Sequence, residues 1–98
     1  MAITVKPIRN IARRNLTSNT VTIQPGATTT LFFSSSSLSN YTPIGWMLAI
    51  DNDSSVYSDL IITGGFGRII ARNMGSTAFT GSIKIEAYYY PYNALVYA

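Results

Sequence analysis

Short runs of alternating apolar and polar residues recur along this chain, and a period of two is typical of half-buried β-strands. The clearest run lies between Phe79 and Tyr89, where apolar or small side chains occupy every second position. Earlier, residues 20–23 and 28–33 flank a turn at 24–27, which predicts a β-hairpin. The pattern as a whole predicts an all-β protein, folded as an antiparallel β-sandwich.

Segment 42–50 is the most apolar run of the sequence. As a strand, this segment would carry Ile44, Trp46, Leu48 and Ile50 on one face. The other face would carry Pro43, Gly45, Met47 and Ala49. A strand that is apolar on both faces is normally covered on both, and a chain of 98 residues has little material for two covering layers. We therefore expect a neighbouring subunit to cover one face of this strand.

Polar and glycine-rich segments predict turns between further short strands. We expect a polar loop over 51–55, a strand over 59–63, a tight turn at Gly64 and Gly65 into a strand over 66–73, and a turn over 74–78.

The two ends of the sequence differ from this patterned region. We divide the chain into a basic N-terminal arm (1–18), a β-sandwich domain (19–91) and an apolar C-terminal tail (92–98). In the arm we expect a short strand and an irregular segment, with a helical turn over 8–14 as the alternative. The tail follows Pro91, which ends the last strand because proline cannot donate a hydrogen bond to its neighbour. Arm and tail are both predicted to dock on neighbouring subunits or on a larger particle.

The amino-acid composition favours a protein that associates with other subunits over one that catalyses a reaction. Charged residues make up 11% of the chain, against roughly 25% in typical soluble domains, and apolar residues 47%. Cysteine is absent, so a core or an oligomer must supply the stability that disulfides give other small domains. Apolar runs are too short to cross a bilayer and the first ten residues lack a signal-peptide pattern. We expect a soluble protein made in the cytoplasm, with no membrane insertion.

Candidate catalytic and metal-binding groups are few. Histidine, the commonest general base and metal ligand, is absent. Asp51, Asp53, Ser55 and Asp59 have part of a calcium-loop spacing, but Val56 and Ile62 stand where that loop needs glycine and glutamate, so we favour an ordinary polar turn. Glu86 beside Lys84 predicts a surface ion pair. We predict a protein that is not an enzyme and has no cofactor or metal.

Candidate docking residues come from two groups of side chains. A basic cluster near the N-terminus has a charge pattern that suits an acidic protein surface better than nucleic acid, because it lacks interleaved aromatic residues. Aromatic residues near the last strand would suit stacking on a sugar, although core and interface packing explains them better. Together the candidates are Lys6, Arg9, Arg13, Arg14, Trp46, Tyr88, Tyr92 and Tyr97.

Residues 19–90 resemble a small domain found in structural proteins of tailed bacteriophages, notably tail, fibre and other appendage components. The resemblance rests on Val21 to Ile23 with Pro25 and Gly26, on 28–33, on Tyr41 to Gly45, on Arg72 and Asn73, and on an alternating last strand that ends in tyrosines. It implies a jelly-roll-like β-sandwich that assembles as a trimer and is displayed on the virion. The basic arm has no counterpart in that family.

What the resemblance implies about function is a non-enzymatic virion component, displayed on capsid or tail. The family domain often ends a much longer protein, so a chain of this length suggests a decoration or connecting subunit. Its partners would be further copies of itself and other virion proteins. A module that binds carbohydrate on the host surface is the alternative, and contact with nucleic acid through the basic arm is a third, disfavoured hypothesis.

Overall fold

Antiparallel strands form most of the described structure. The computed structural model describes residues 11–33 and 41–91. Its elements are β1 (Ala12–Thr17), β2 (Val21–Ile23), β3 (Thr28–Leu31), β4 (Tyr41–Leu48), α1 (Ser54–Asp59), β5 (Leu60–Gly65), β6 (Arg68–Asn73), β7 (Phe79–Gly81) and β8 (Lys84–Pro91). Strands account for 62% of the structure and helix for 8%, and all strand pairs are antiparallel. The predicted all-β class with antiparallel strands is confirmed.

The strands form three sheets. Two are three-stranded, with the orders β1-β8-β4 and β3-β6-β5, and the third pairs β2 with β7. The β2–β7 pair continues the β1–β8 pair past a break at Ser18. There the Ser18 amide donates to the carbonyl of Ile83 at 2.8 Å, and the Ile83 amide donates to Ser18 Oγ at 2.8 Å. The buried hydroxyl thus replaces a ladder bond and holds the two sheets in line.

One hydrophobic core takes side chains from all three sheets and from α1. Its buried members are Val21, Ile23, Leu31, Val56, Leu60, Ile69, Ala71, Phe79, Ile83 and Ile85. The face predicted for the last strand is confirmed, because Phe79, Ile83, Ile85, Ala87 and Tyr89 are all buried. Alternation along β7 and β8 therefore supplies the centre of the core.

The predicted hairpin of residues 20–33 is wrong. β2 pairs with β7, and β3 pairs with β6, so the turn over 24–27 carries the chain from one sheet to another. Asn73 fixes this crossing: its backbone amide donates to Ala27 O at 3.0 Å and its carbonyl accepts from the Gly26 amide at 2.7 Å. These bonds to a residue distant in sequence replace the ladder of a local hairpin.

The turn between β5 and β6 lies two residues later than predicted. Gly64 and Gly65 belong to β5, and Phe66 and Gly67 make the turn. Gly64 has φ of 115°, and a Cβ at this position would collide with the carbonyl oxygen of Arg68. Glycine is therefore required here for a close approach of two strands, which the sequence pattern alone reads as a turn.

The helix α1 replaces part of the predicted polar loop and the start of the predicted strand over 59–63. Asp53 caps it: Oδ1 accepts from the Ser55 amide at 3.0 Å and from Ser55 Oγ at 2.9 Å. Val56, on the inner side of the helix, is fully buried in the core. A polar cap and one buried apolar residue therefore suffice to form this single short helix.

The Asp53 cap predicts a specific pH dependence. Hydrogen bonds from Ser55 to the carboxylate lower the pKa of Asp53 below its usual 3.8. A lowered folded-state pKa means that the cap stabilises the fold above pH 3.8 and that this contribution disappears as the pH falls through the folded value. We expect Asp53→Asn, which keeps an acceptor oxygen that does not titrate, to lose less stability than the wild type over this range.

Urea unfolding of the two proteins at a series of pH values measures this difference. Other carboxyl groups titrate equally in both proteins and cancel in the comparison. If the free energies of unfolding of the wild type and Asp53→Asn changed in parallel from neutral pH down through pH 3, the charge of Asp53 would contribute nothing to the cap.

The described part of the basic arm belongs to a sheet. Ala12–Thr17 forms β1 and pairs with β8, with Ala12 opposite Tyr89 and Arg14 opposite Ala87. The alternative of a helical turn over 8–14 is therefore wrong for residues 12–14, which are extended because they complete the edge of a sheet. Residues 1–10 and the tail over 92–98 lie outside the described residues.

Candidate functional site

The outer face of the β1-β8-β4 sheet brings two of the predicted docking residues together. Arg13 on β1 lies directly opposite Tyr88 on β8. Glu86, two residues before Tyr88, lies opposite Met47 on β4. Because residues two apart on a strand share a face, these four side chains form one surface cluster, which we call the Tyr88 cluster.

Hydrogen bonds orient the Tyr88 hydroxyl within this cluster. The hydroxyl lies 3.0 Å from Glu86 Oε2 and 3.2 Å from Met47 Sδ. Donation to the Glu86 carboxylate raises the pKa of the Tyr88 phenol; burial and the charge of Glu86 act in the same direction, and Arg13 opposes them. The phenol is therefore held in its protonated form, with its donor directed at a neighbour on its own strand.

Trp46 lies on the other face of the same sheet. It is opposite Ala87, packs against the hydrophobic core, and donates from Nε1 to the carbonyl of Gly64 at 2.9 Å. Trp46 and Tyr88 therefore do not form one aromatic platform. Tyr89 is also on the inner face, with its ring centroid 5.9 Å from that of Phe66, so the prediction of core packing for Tyr89 is confirmed.

The basic residues of β1 are separated in the same way. Arg13 faces outward beside Tyr88, whereas Arg14 is in register with the buried Ala87 on the opposite face. Lys6, Arg9, Tyr92 and Tyr97 lie outside the described residues. Of the eight predicted docking residues, the structure thus brings Arg13 and Tyr88 together and assigns Arg14 and Trp46 to the other face.

The carboxylates serve local structure. Asp51 pairs with Lys84, with 3.4 Å between Oδ2 and Nζ, so the surface pair predicted between Lys84 and Glu86 is wrong. Glu86 instead accepts from Tyr88, and Asp53 caps α1. Within residues 11–33 and 41–91, no three acidic side chains come close enough together to hold a metal ion.

Three of the exposed apolar side chains lie on or just after β4, whereas others, such as Phe32 and Met74, lie elsewhere in the described structure. Ile44 is 42% exposed, Met47 53% and Ile50 90%. Within the described structure, part of this strand is therefore exposed to solvent, although its sequence is apolar on both faces. These three residues were not among the predicted docking residues; the two-sided apolar pattern of 42–50 was the signal that pointed to them.

The edge of β4 is also free of charge. β4 ends the order β1-β8-β4, and β5 ends the order β3-β6-β5. Neither 41–50 nor 60–67 contains a charged residue. The bond from Trp46 to Gly64 links the two strands, so two uncharged sheet edges lie on one side of the molecule.

Two further observations concern the chain as a whole. In the part of the chain that the structure describes, no helix has the length and apolar character needed to cross a membrane. Comparison with models of protein families, with curated proteins and with solved structures gave no match to this chain.

Proposed function

We propose that this protein is a non-enzymatic structural component of a bacteriophage virion, displayed on capsid or tail as a trimeric decoration or fibre-type subunit. The observation that carries the proposal is the uncharged, exposed apolar edge formed by β4 and the residues that follow it. Its partners would be further copies of the chain and other proteins of the particle. The identification with a virion rests on the resemblance of residues 19–90.

A jelly-roll-like β-sandwich is the architecture that fits this proposal. Both three-stranded sheets contribute to a single core, Ile85 from one and Leu31 and Ile69 from the other. A shared core between two antiparallel sheets is what a sandwich requires. The β2–β7 pair would then extend the first sheet beyond Ser18.

Self-association follows from the cost of leaving this edge in water. Apolar surface removed from water contributes about 25 cal/mol per Å² to association, and an edge strand presents unpaired amides and carbonyls that another strand can satisfy. Ile44, Met47 and Ile50 would be covered in an oligomer. A virion subunit is used at high local concentration, where this covering is favoured by mass action.

The direct test is the mass of the purified protein in solution over a dilution series, measured by light scattering coupled to size exclusion. We expect a trimer that dissociates on dilution, with a thermal midpoint that rises with protein concentration. A monomer at every concentration would contradict the homo-oligomeric subunit. A stable dimer would retain self-association and contradict the threefold assembly.

The glycan-binding hypothesis is less well supported. Tyr88 donates to Glu86, and Trp46 faces the core, so the two predicted aromatic residues that the structure describes do not form one stacking surface. Contact with nucleic acid is weakened in the same way, because Arg13 and Arg14 lie on opposite faces of β1. Both hypotheses stay predictions that bear on residues outside the described ranges.

A further inference from the structure

We propose that the uncharged edge of β4 binds a second copy of this chain through that copy's β5 edge. The inference rests on the proposed homo-oligomeric function and adds the surface that would mediate it. Repeated around a threefold axis, a contact between two different patches closes into a trimer, with the β4 edge of each copy meeting the β5 edge of the next.

The backbone of β4 is available for such pairing. The Ala49 amide donates to the carbonyl of Lys84 at 3.1 Å, which directs Ala49 toward β8. Antiparallel ladder bonds alternate along a strand, so the amides and carbonyls of Trp46 and Leu48 point away from β8. Among the described residues no strand pairs with this side of β4.

Few features protect this edge from pairing. Natural edge strands are commonly blocked by lysine, by proline, by bulges or by short length. β4 has eight residues, and its proline and its register shift lie in its first half, from Pro43 to Gly45. The following stretch, 45–48, is regular and carries no charge.

Charge selects β5 as the matching edge. β1, the other edge of the β4 sheet, carries Arg13 and Arg14, whose burial against an apolar strand would be costly. β5 has six residues, none of them charged, and no described strand pairs with its outer side, although the Gly64 carbonyl accepts a hydrogen bond from Trp46 of the same chain. It also carries Ile61, which is 51% exposed. Pairing β4 with β5 therefore buries no charge on either strand and covers apolar side chains from both copies.

The remaining edge is less suitable for such a contact. β3 has four residues, and the chain next to its end is already engaged: Ser18 forms a bridge with Phe33, and the Asn19 amide donates to Phe32 O at 2.9 Å. β5 is thus the longer of the two uncharged edges, and in the described structure only its Gly64 carbonyl is engaged, by Trp46.

Lysine substitutions test this contact from both sides. We expect Ile44→Lys on β4 and Ile61→Lys on β5 each to raise the concentration at which the oligomer dissociates at least tenfold. Met74→Lys, at an exposed apolar residue in the turn after β6, is the matched control and is expected to assemble as the wild type does. Light scattering coupled to size exclusion gives the masses, and circular dichroism establishes that each variant is folded.

The outcomes separate this inference from the proposed function. A wild-type protein that is monomeric at all concentrations would overturn both. If the wild type assembles and the folded variants Ile44→Lys and Ile61→Lys assemble equally well, the β4–β5 contact is overturned. The homo-oligomeric function is then retained.

Hydrogen exchange on the wild type tests the same contact without any substitution. The amides of Trp46 and Leu48 should become more protected as concentration rises through the assembly range. Unchanged protection at both amides in the assembled protein would overturn the inference.

Discussion

Replacing Ile85 with alanine is expected to lower the free energy of unfolding by about 2–5 kcal/mol. Ile85 is buried in the core and lies on β8, the central strand of its sheet, opposite Leu16 on β1 and Leu48 on β4. It also lines a pocket of about 200 Å³ that is partly open to solvent and extends toward β3 and β6. Removing three carbons here deletes buried apolar contacts at the centre of the core, and the size of the loss depends on how far the neighbouring side chains can close the space.

Urea unfolding at a concentration where the protein is monomeric measures the effect, with Ile61→Ala as the control. Ile61 has the same side chain on an edge strand but is about half exposed, and its truncation should change the monomer's stability by only about 0.5 kcal/mol. Small domains have total stabilities of about 5–15 kcal/mol, so Ile85→Ala is expected to unfold well below the wild-type midpoint. Equal losses for the two variants would contradict a core centred on β8.

The burial of β8 could be predicted from sequence because its signal is local. Strand residues alternate between two faces, so the positions from Phe79 to Tyr89 identify the inner face without knowledge of any partner. The same rule explains why the predicted docking site was only partly found. Arg13 and Arg14, adjacent in sequence, necessarily point to opposite faces once they belong to a strand.

Strand pairing could not be predicted because it depends on residues far apart in the chain. The turn over 24–27 is where the sequence places it, yet β2 and β3 pair with β7 and β6, not with each other. Turn chemistry specifies a reversal of direction, whereas the choice of partner depends on which distant backbone groups can be satisfied. Here the crossing is held by Asn73, which the sequence pattern predicts only as the last residue of a strand over 66–73.

The helix α1 was missed for a different reason. Six residues are too few to show helical periodicity, and Asp53 and Ser55 are equally frequent in polar turns. The apolar pattern of β4, in contrast, correctly indicated a strand, and the cover of one of its faces by a neighbouring subunit stays a prediction. What the pattern could not supply was the edge position of β4, which follows from the sheet order.

Replacing Asn73 with alanine is expected to lower the free energy of unfolding by on the order of 3 kcal/mol or more, because it leaves several buried polar groups without hydrogen-bond partners. Asn73 is 0% exposed. Its Nδ2 donates to the carbonyls of Ile23 and Thr77, each at 2.8 Å, and its Oδ1 accepts from the Gly75 amide at 2.8 Å. The side chain thus ties the end of β2 to the turn that follows β6.

Thermal and urea unfolding of Asn73→Ala measure this cost, and Asn15→Ala is the matched control. Asn15 is exposed on β1, so its truncation should change the free energy of unfolding by about 0.5 kcal/mol or less. Similar small losses for the two asparagines would show that water satisfies the groups around Asn73, and would contradict its assigned role in the strand crossing.

A second variant, Asn73→Asp, separates donation from acceptance at the same site. It keeps an oxygen for the Gly75 amide, but an ionised carboxylate would face the carbonyls of Ile23 and Thr77 with no proton to donate.

Repulsion and burial should raise the pKa of the introduced carboxyl in the folded state, so the folded protein binds the proton more tightly than the unfolded chain. Its stability relative to the wild type should therefore increase as the pH is lowered toward the carboxyl's ordinary range near 4, and decrease again as the pH rises. A pH-independent difference between Asn73→Asp and wild type would mean that the Nδ2 bonds do not hold β2 against this turn.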